Sequence, residues 1–249
     1  MKITKLLLLA SIASLFIISA CKKDSDNTLT SASLIVPNDF LSAGKYDKLV
    51  IQIQAVSGYE LSDATTTNLV NFLQQRINKP VGIQVLKSSI ASPGKSIYTV
   101  DDLKTVEKNN RTEYPTGTTL TAYIFVADAP YTEDNANAKV LGVTYSATSI
   151  ALFEHTIKSF TGGFNQPSLA VLESTVSEHE FGHVLGLVNN GTNMVVAHQD
   201  VANGKHCSNS NCLMYYNVES SASITNIFGS GIPSLDSSCI SDLKANGGK

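Results

Sequence analysis

Along residues 46–56, YDKLVIQIQAV, apolar and polar side chains alternate and β-branched residues recur, which is the period of two that a strand requires. After Ser57-Gly58 the period lengthens. Ser62-Asp63 supplies a capping signal, and Leu69, Val70, Phe72, Leu73 and Ile77 follow at helical spacing, so a helix is expected over residues 62–78. A second strand follows at 81–85, and a second helix opens at Thr99-Val100-Asp101. Residues 120–127 are apolar at most positions, which predicts a third, buried strand. This βαβαβ opening favours a largely parallel sheet with helical crossovers. Farther on, two short strands are expected at 139–145 and 149–153, then a long helix over 168–187. Loop signals at Gly162-Gly163, Asn189-Asn190-Gly191 and 229–231 separate the parts. One domain over residues 45–249 is the economical reading.

The first twenty residues follow another pattern. Lys2 and Lys5 precede an apolar run from Leu6 to Ile18, broken by Ser11 and Ser14, which is too short to span a bilayer but suits the apolar part of a secretory signal. Ile18-Ser19-Ala20-Cys21 closely resembles a bacterial lipobox, which implies a signal peptide over 1–20 and a diacylated Cys21 as the mature N-terminus. Diacylation with amine acylation suffices for stable anchoring. Residues 21–44, polar and without aromatic side chains up to Ser33, then read as the lipidated cysteine and a flexible tether. The expected location is the bacterial cell envelope, lipid-anchored at the outer membrane on its periplasmic or its surface face.

Charge narrows the partners. Losing residues 1–20 removes two lysines and no acids, so the formal charge moves from −3 to −5 (−3 − 2). A weakly acidic chain with 16% charged residues and no basic cluster argues against nucleic acid as a partner. With no Trp, there is little to build the aromatic platform of a glycan-binding protein. A monomer is expected.

The chemistry concentrates in HEFGHVLGL, residues 179–187. On a helix His179 and His183 lie one turn apart on one face, where both can hold one zinc ion, with Glu180 directed at the water bound to it. Zinc enzymes usually take three protein ligands. The chain has five histidines, at 155, 179, 183, 198 and 206, so candidates for the third are few. Gly186 suits a chain that leaves the helix in a left-handed turn and doubles back to the metal.

Here the sequence resembles the metzincin metalloproteases, whose signature continues past that glycine to a third histidine and a methionine-containing turn. Position 189, where the compact signature places the third ligand, is Asn189, a poor zinc ligand. His206-Cys207, four residues, then Cys212-Leu213-Met214 resembles the corresponding segment of the archaemetzincin subgroup. The resemblance implies His206 as third ligand after an insertion of 17 residues (206 − 189), with His198 in the insertion as the alternative. It implies Met214 as the apolar base beneath the zinc. Tyr216 stands where some metzincins carry a tyrosine that touches the metal or the transition state, simple packing being the plain alternative.

Archaemetzincins also hold a structural zinc with four cysteines. Cys207, Cys212 and Cys239 match three of them, and Asp236 stands where the fourth would be. Three thiolates and a carboxylate can bind zinc, but in an exported protein two of the thiols could equally form a disulfide. The pairing stays open.

What the resemblance implies is a zincin fold of mixed α/β (α+β) class: a twisted, mostly parallel sheet with one antiparallel edge strand, an active-site helix below the cleft, a Met-turn and a C-terminal helix. The edge strand, near residues 141–149, would bind an extended peptide through its main chain. Zinc would lower the pKa of its water towards about 7, and Glu180 would move the proton to the leaving amine of a peptide or protein substrate. A catalytically inactive zinc-binding lipoprotein is the competing reading, and Glu180 argues against it because a binding site does not need that carboxylate.

Overall fold

The computed structural model describes residues 34–136, 138–219 and 231–249; the expected signal peptide, Cys21 and the expected tether as far as residue 33 lie outside the described residues. The compact unit is Ile35–Lys249. It starts ten residues before the boundary expected at residue 45 (45 − 35). Residues Pro37–Leu41 form a short helix, α1, with Phe40 and Leu41 fully buried in the main core. Proline at the first turn is compatible with a helix start, but five residues are too few to show a period.

The expected βαβαβ opening is present as β1 (Lys48–Val56), α2 (Asp63–Gln74), β2 (Gly82–Ile90), α3 (Val100–Asn110) and β3 (Thr119–Val126). The hairpin β4 (Gly142–Ser146) and β5 (Ser149–Leu152) completes a sheet of order β2-β1-β3-β5-β4. Every pairing is parallel except β4 with β5. β4 is thus an antiparallel edge strand, as expected, with a register irregularity between Thr144 and Ser146. β2 runs five residues past its expected end because Lys87, Ser88 and Ser89 lie on the other edge, where polar side chains are tolerated in a strand.

Both faces of the sheet are covered. Leu49, Ile51, Ile53 and Ile124 pack with α2, α1 and the long helix α5 (Leu169–Val184) in one core, whereas Tyr123, Phe125 and Ala151 pack with Leu103 and Val106 of α3 in a second. The polar positions of β1 are therefore buried too. Gln52 Oε1 accepts the N–H of Thr112 and of Glu113, and Gln54 Oε1 accepts the Tyr123 hydroxyl, which removes most of the cost of burying these amides. Beyond α5 come a two-strand ladder of β6 (Gln199–Asp200) and β7 (His206–Cys207) and the C-terminal helix α6 (Ser237–Ala245). A six-residue helix α4 (Glu154–Ser159) separates β5 from α5. No described helix is long and apolar enough to cross a membrane.

Candidate metal centre

Helix α5 starts where Ser168 caps it, its side chain accepting the N–H of Val171, and is buried on nearly every side from Leu172 onward. It stops earlier than the pattern suggested. Gly186 has φ +76°, Gly186 N–H donates to His183 O at 3.0 Å and Leu187 N–H to Gly182 O at 3.1 Å. That double closure is a Schellman end, which only a left-handed residue permits at low cost. The chain turns back there, and the ring of Pro37 packs against the turn.

The turn returns the chain to the helix face that carries the motif. The ligand atoms of His179, His183 and His206 lie within 4.8 Å of one another, and the Nε2 atoms of His179 and His183 face each other at 3.1 Å. Tetrahedral zinc with bonds of about 2.0 Å to nitrogen separates neighbouring nitrogens by roughly 3.3 Å, so the spacing fits the ion. Tautomers follow from the partners. His179 Nδ1 lies 2.7 Å from Leu213 O and His206 Nδ1 lies 2.6 Å from Asn203 O. A carbonyl only accepts, so in both neutral rings Nδ1 carries the proton and Nε2 presents the lone pair.

The remaining motif residues surround this triad. Glu180 is fully buried, and Thr144 Oγ1 of β4 lies 2.8 Å from its Oε2 and 2.9 Å from its backbone O. Gly142 makes that approach possible, since a Cβ there would meet Val176 Cγ1 at 2.7 Å and Glu180 Cγ at 2.9 Å. Met214 is fully buried, and its sulfur occupies the place a side chain on Gly182 would need, between the two ligands of the helix. Tyr216 begins a 3-10 turn and packs against Tyr215, with ring centroids 4.7 Å apart. A cleft of about 360 Å³ opens beside His183, lined by Thr144, Tyr145, Ser146 and Ala147 on the strand side and by Ile35 and Pro37 opposite. Thr144 and Gly142 went unread in the sequence. Both act across 34 or more positions (176 − 142), and neither residue type announces such a role.

A second group of ligand-type side chains lies apart from the first. His198, the alternative third ligand, is here with Cys207, Asp236 and Cys239, their ligand atoms within 4.8 Å of one another. Cys212 Sγ is 3.6 Å from Cys239 Sγ, and all three cysteines are free and buried. The Cys239 thiol beside it holds the Cys212 thiol down to about 7, with the backbone N–H groups of Asp236 and Met214 acting in the same direction, whereas burial pushes Cys207 up to about 12. His155 is exposed on α4, outside both groups.

Comparison with solved structures places this architecture beside archaemetzincin from Methanopyrus kandleri, with a TM-score of 0.53, 15% identity, and coverage of 82% of this chain and 96% of that one. A zinc-dependent peptidase from Methanocorpusculum labreanum aligns with a TM-score of 0.48 at 15% identity, over 78% of this chain and 99% of that one. Metalloproteinase-II from Bacteroides fragilis aligns with a TM-score of 0.43 at 14% identity, over 82% and 55%. No protein-family model and no curated protein matches the chain. The fold is archaemetzincin-like, as the sequence led us to expect.

Proposed function

We propose that the chain is a zinc metallopeptidase in which His179, His183 and His206 hold the ion and Glu180 is the general base. The observation that carries this reading is the convergence of three imidazoles, the two buried ones, His179 and His206, with their Nδ1 protons already committed to carbonyls. The archaemetzincin-like fold supports it. Zinc at such a centre supplies Lewis acidity, polarising a substrate carbonyl and making water acidic near neutral pH.

The chain's own groups do the rest. Glu180 removes a proton from the attacking water as its oxygen bonds to the scissile carbonyl carbon, and delivers that proton to the amine nitrogen as the C–N bond breaks. The Thr144 hydroxyl holds the carboxylate in place. The outer edge of β4 offers main-chain donors and acceptors to an extended peptide, and the cleft beside His183 takes its side chains. Met214 fills the space beneath the ligands with an apolar, polarisable group. The lipobox-like segment ending at Cys21 supports a tethered, exported enzyme at the cell envelope, acting as a monomer on peptides or proteins.

The test separates binding from catalysis. Glu180→Ala is expected to keep the zinc of this centre and lose hydrolysis of an unfolded protein substrate, because a general base contributes about 10²–10⁴-fold. His183→Ala is expected to lose both. Undiminished hydrolysis by the Glu180 variant would overturn the mechanism.

A further inference from the structure

The insertion that delays His206 brings a histidine of its own into the second group of side chains. His198 Nδ1 faces two sulfurs, 3.3 Å from Cys207 Sγ and 4.0 Å from Cys239 Sγ, and Cys212 Sγ adds a third sulfur 3.6 Å from Cys239 Sγ. A tetrahedral zinc ion with bonds of about 2.3 Å to sulfur and about 2.0 Å to nitrogen sets neighbouring ligand atoms roughly 3.5–3.8 Å apart. The measured separations bracket that range. A disulfide would require sulfurs at about 2.05 Å.

The surroundings are built for a ligand ring. His198 Nε2 lies 2.7 Å from Oδ2 of Asp242, which is fully buried and whose other oxygen accepts the Val195 N–H. A carboxylate on one ring nitrogen leaves the other pointing at the metal and raises its basicity. Cys212 Sγ accepts the N–H of Met214 and of Asp236, each at 3.4 Å, which suits a thiolate. Asp236 lies within the same cluster, but its oxygens are engaged: Oδ1 caps α6 through the Cys239 N–H, and Oδ2 accepts from Asn209 and from the Cys207 thiol.

We propose that Cys207, Cys212, Cys239 and His198 hold a structural zinc ion, with His198, oriented by Asp242, filling the fourth place that the sequence offered to Asp236. His206 and Cys207 are consecutive residues of β7, and alternation along a strand sends their side chains to opposite sides. One short segment thus delivers a ligand to each centre. Holding Cys207 by a metal also holds the backbone that presents His206. The proposal concerns binding and local order only, so it stands or falls separately from hydrolysis at the first centre.

The experiment uses the full chain carrying His179→Ala and His183→Ala, which empties the first centre, with zinc counted by mass spectrometry and its ligands by X-ray absorption at the zinc edge. One zinc per chain is expected, with three sulfurs at about 2.3 Å and one nitrogen at about 2.0 Å. Adding His198→Cys should keep the ion and raise the count to four sulfurs. Asp236→Asn, which retains an oxygen to cap the helix, should change neither. Asp242→Asn should bind zinc about 10–100-fold more weakly in competition with a chelator. Should His198→Ala fold poorly, the cysteine replacement still decides the case. Three sulfurs retained in His198→Cys, loss of zinc in Asp236→Asn alone, or no zinc together with an intact mass lacking two cysteine hydrogens would each overturn the proposal.

Discussion

Gly186→Ala tests how the motif helix is ended. Its cost can be worked from the geometry. The residue sits at φ +76°, where an L side chain costs about 1–2 kcal/mol. A Cβ there would stand 2.6 and 2.8 Å from Pro37 Cγ and Cβ and 2.8 Å from the backbone nitrogen of Thr192. The proline ring is held by α1 and the Thr192 N–H is bonded to Gly186 O at 2.9 Å, so neither yields freely. Overpacking of this kind costs about 1–3 kcal/mol. Alanine offers no helix gain outside the helix, but it lowers the entropy of the unfolded chain, which returns about 0.4–1 kcal/mol. The net expectation is a loss of about 2–4 kcal/mol, a large share of the ~5–15 kcal/mol of a typical domain. Urea unfolding of the zinc-loaded protein at constant slope reads this as a lowered midpoint. Pro37→Ala in the Gly186→Ala background removes the Cγ contact, the shorter of the two with the proline, and should recover part of the loss in a double-mutant cycle. A loss below about 1 kcal/mol would show that the turn does not need a glycine.

Thr144→Val removes a hydrogen bond to a carboxylate, about 1.5–3 kcal/mol, so kcat on a peptide substrate should fall about tenfold or more with little change in KM. Thr144→Ser should restore it, and a change confined to KM would contradict a positioning role. Buried Glu154 has its pKa pushed from 4.5 up to about 9, first by burial and then by the charge of Glu173, whose Oε2 accepts from Ser62 and Thr65. The folded chain therefore holds a proton that the unfolded chain releases above pH 4.5, and stability falls as pH rises from there through about 9. Glu154→Gln should flatten the fall in unfolding midpoint between about pH 6 and pH 9, and an unchanged slope would refute the assignment.

Much of the sheet was legible in the sequence because β1 and β3 and the helices between them carry their periods in contiguous residues. His179, Glu180 and His183 were legible for the same reason, their spacing being a property of one helix. The elements that stayed hidden are short: α1, α4 and the β6–β7 ladder each span six residues or fewer, below the length at which a period can be read. Site residues stayed hidden where the contact joins distant segments. Asp242 meets His198 across 44 positions and Thr144 meets Glu180 across 36, and a lone aspartate or threonine gives no sign of such a partner. The insertion made the outcome for His198 undecidable from spacing alone. Only the folded path of residues 187–206 assigns it to the sulfur cluster and leaves His206 with the helix histidines.

The proposed hydrolysis depends on Glu180 acting as base beside the three histidines. A complex peptide mixture incubated with the zinc-loaded chain and, in parallel, with its Glu180→Ala variant, then profiled for new termini by mass spectrometry, addresses it directly. Internal cleavages with the parent chain and none above background with the variant, at equal zinc content, are predicted. Equal cleavage by both, or no products from either, would contradict it.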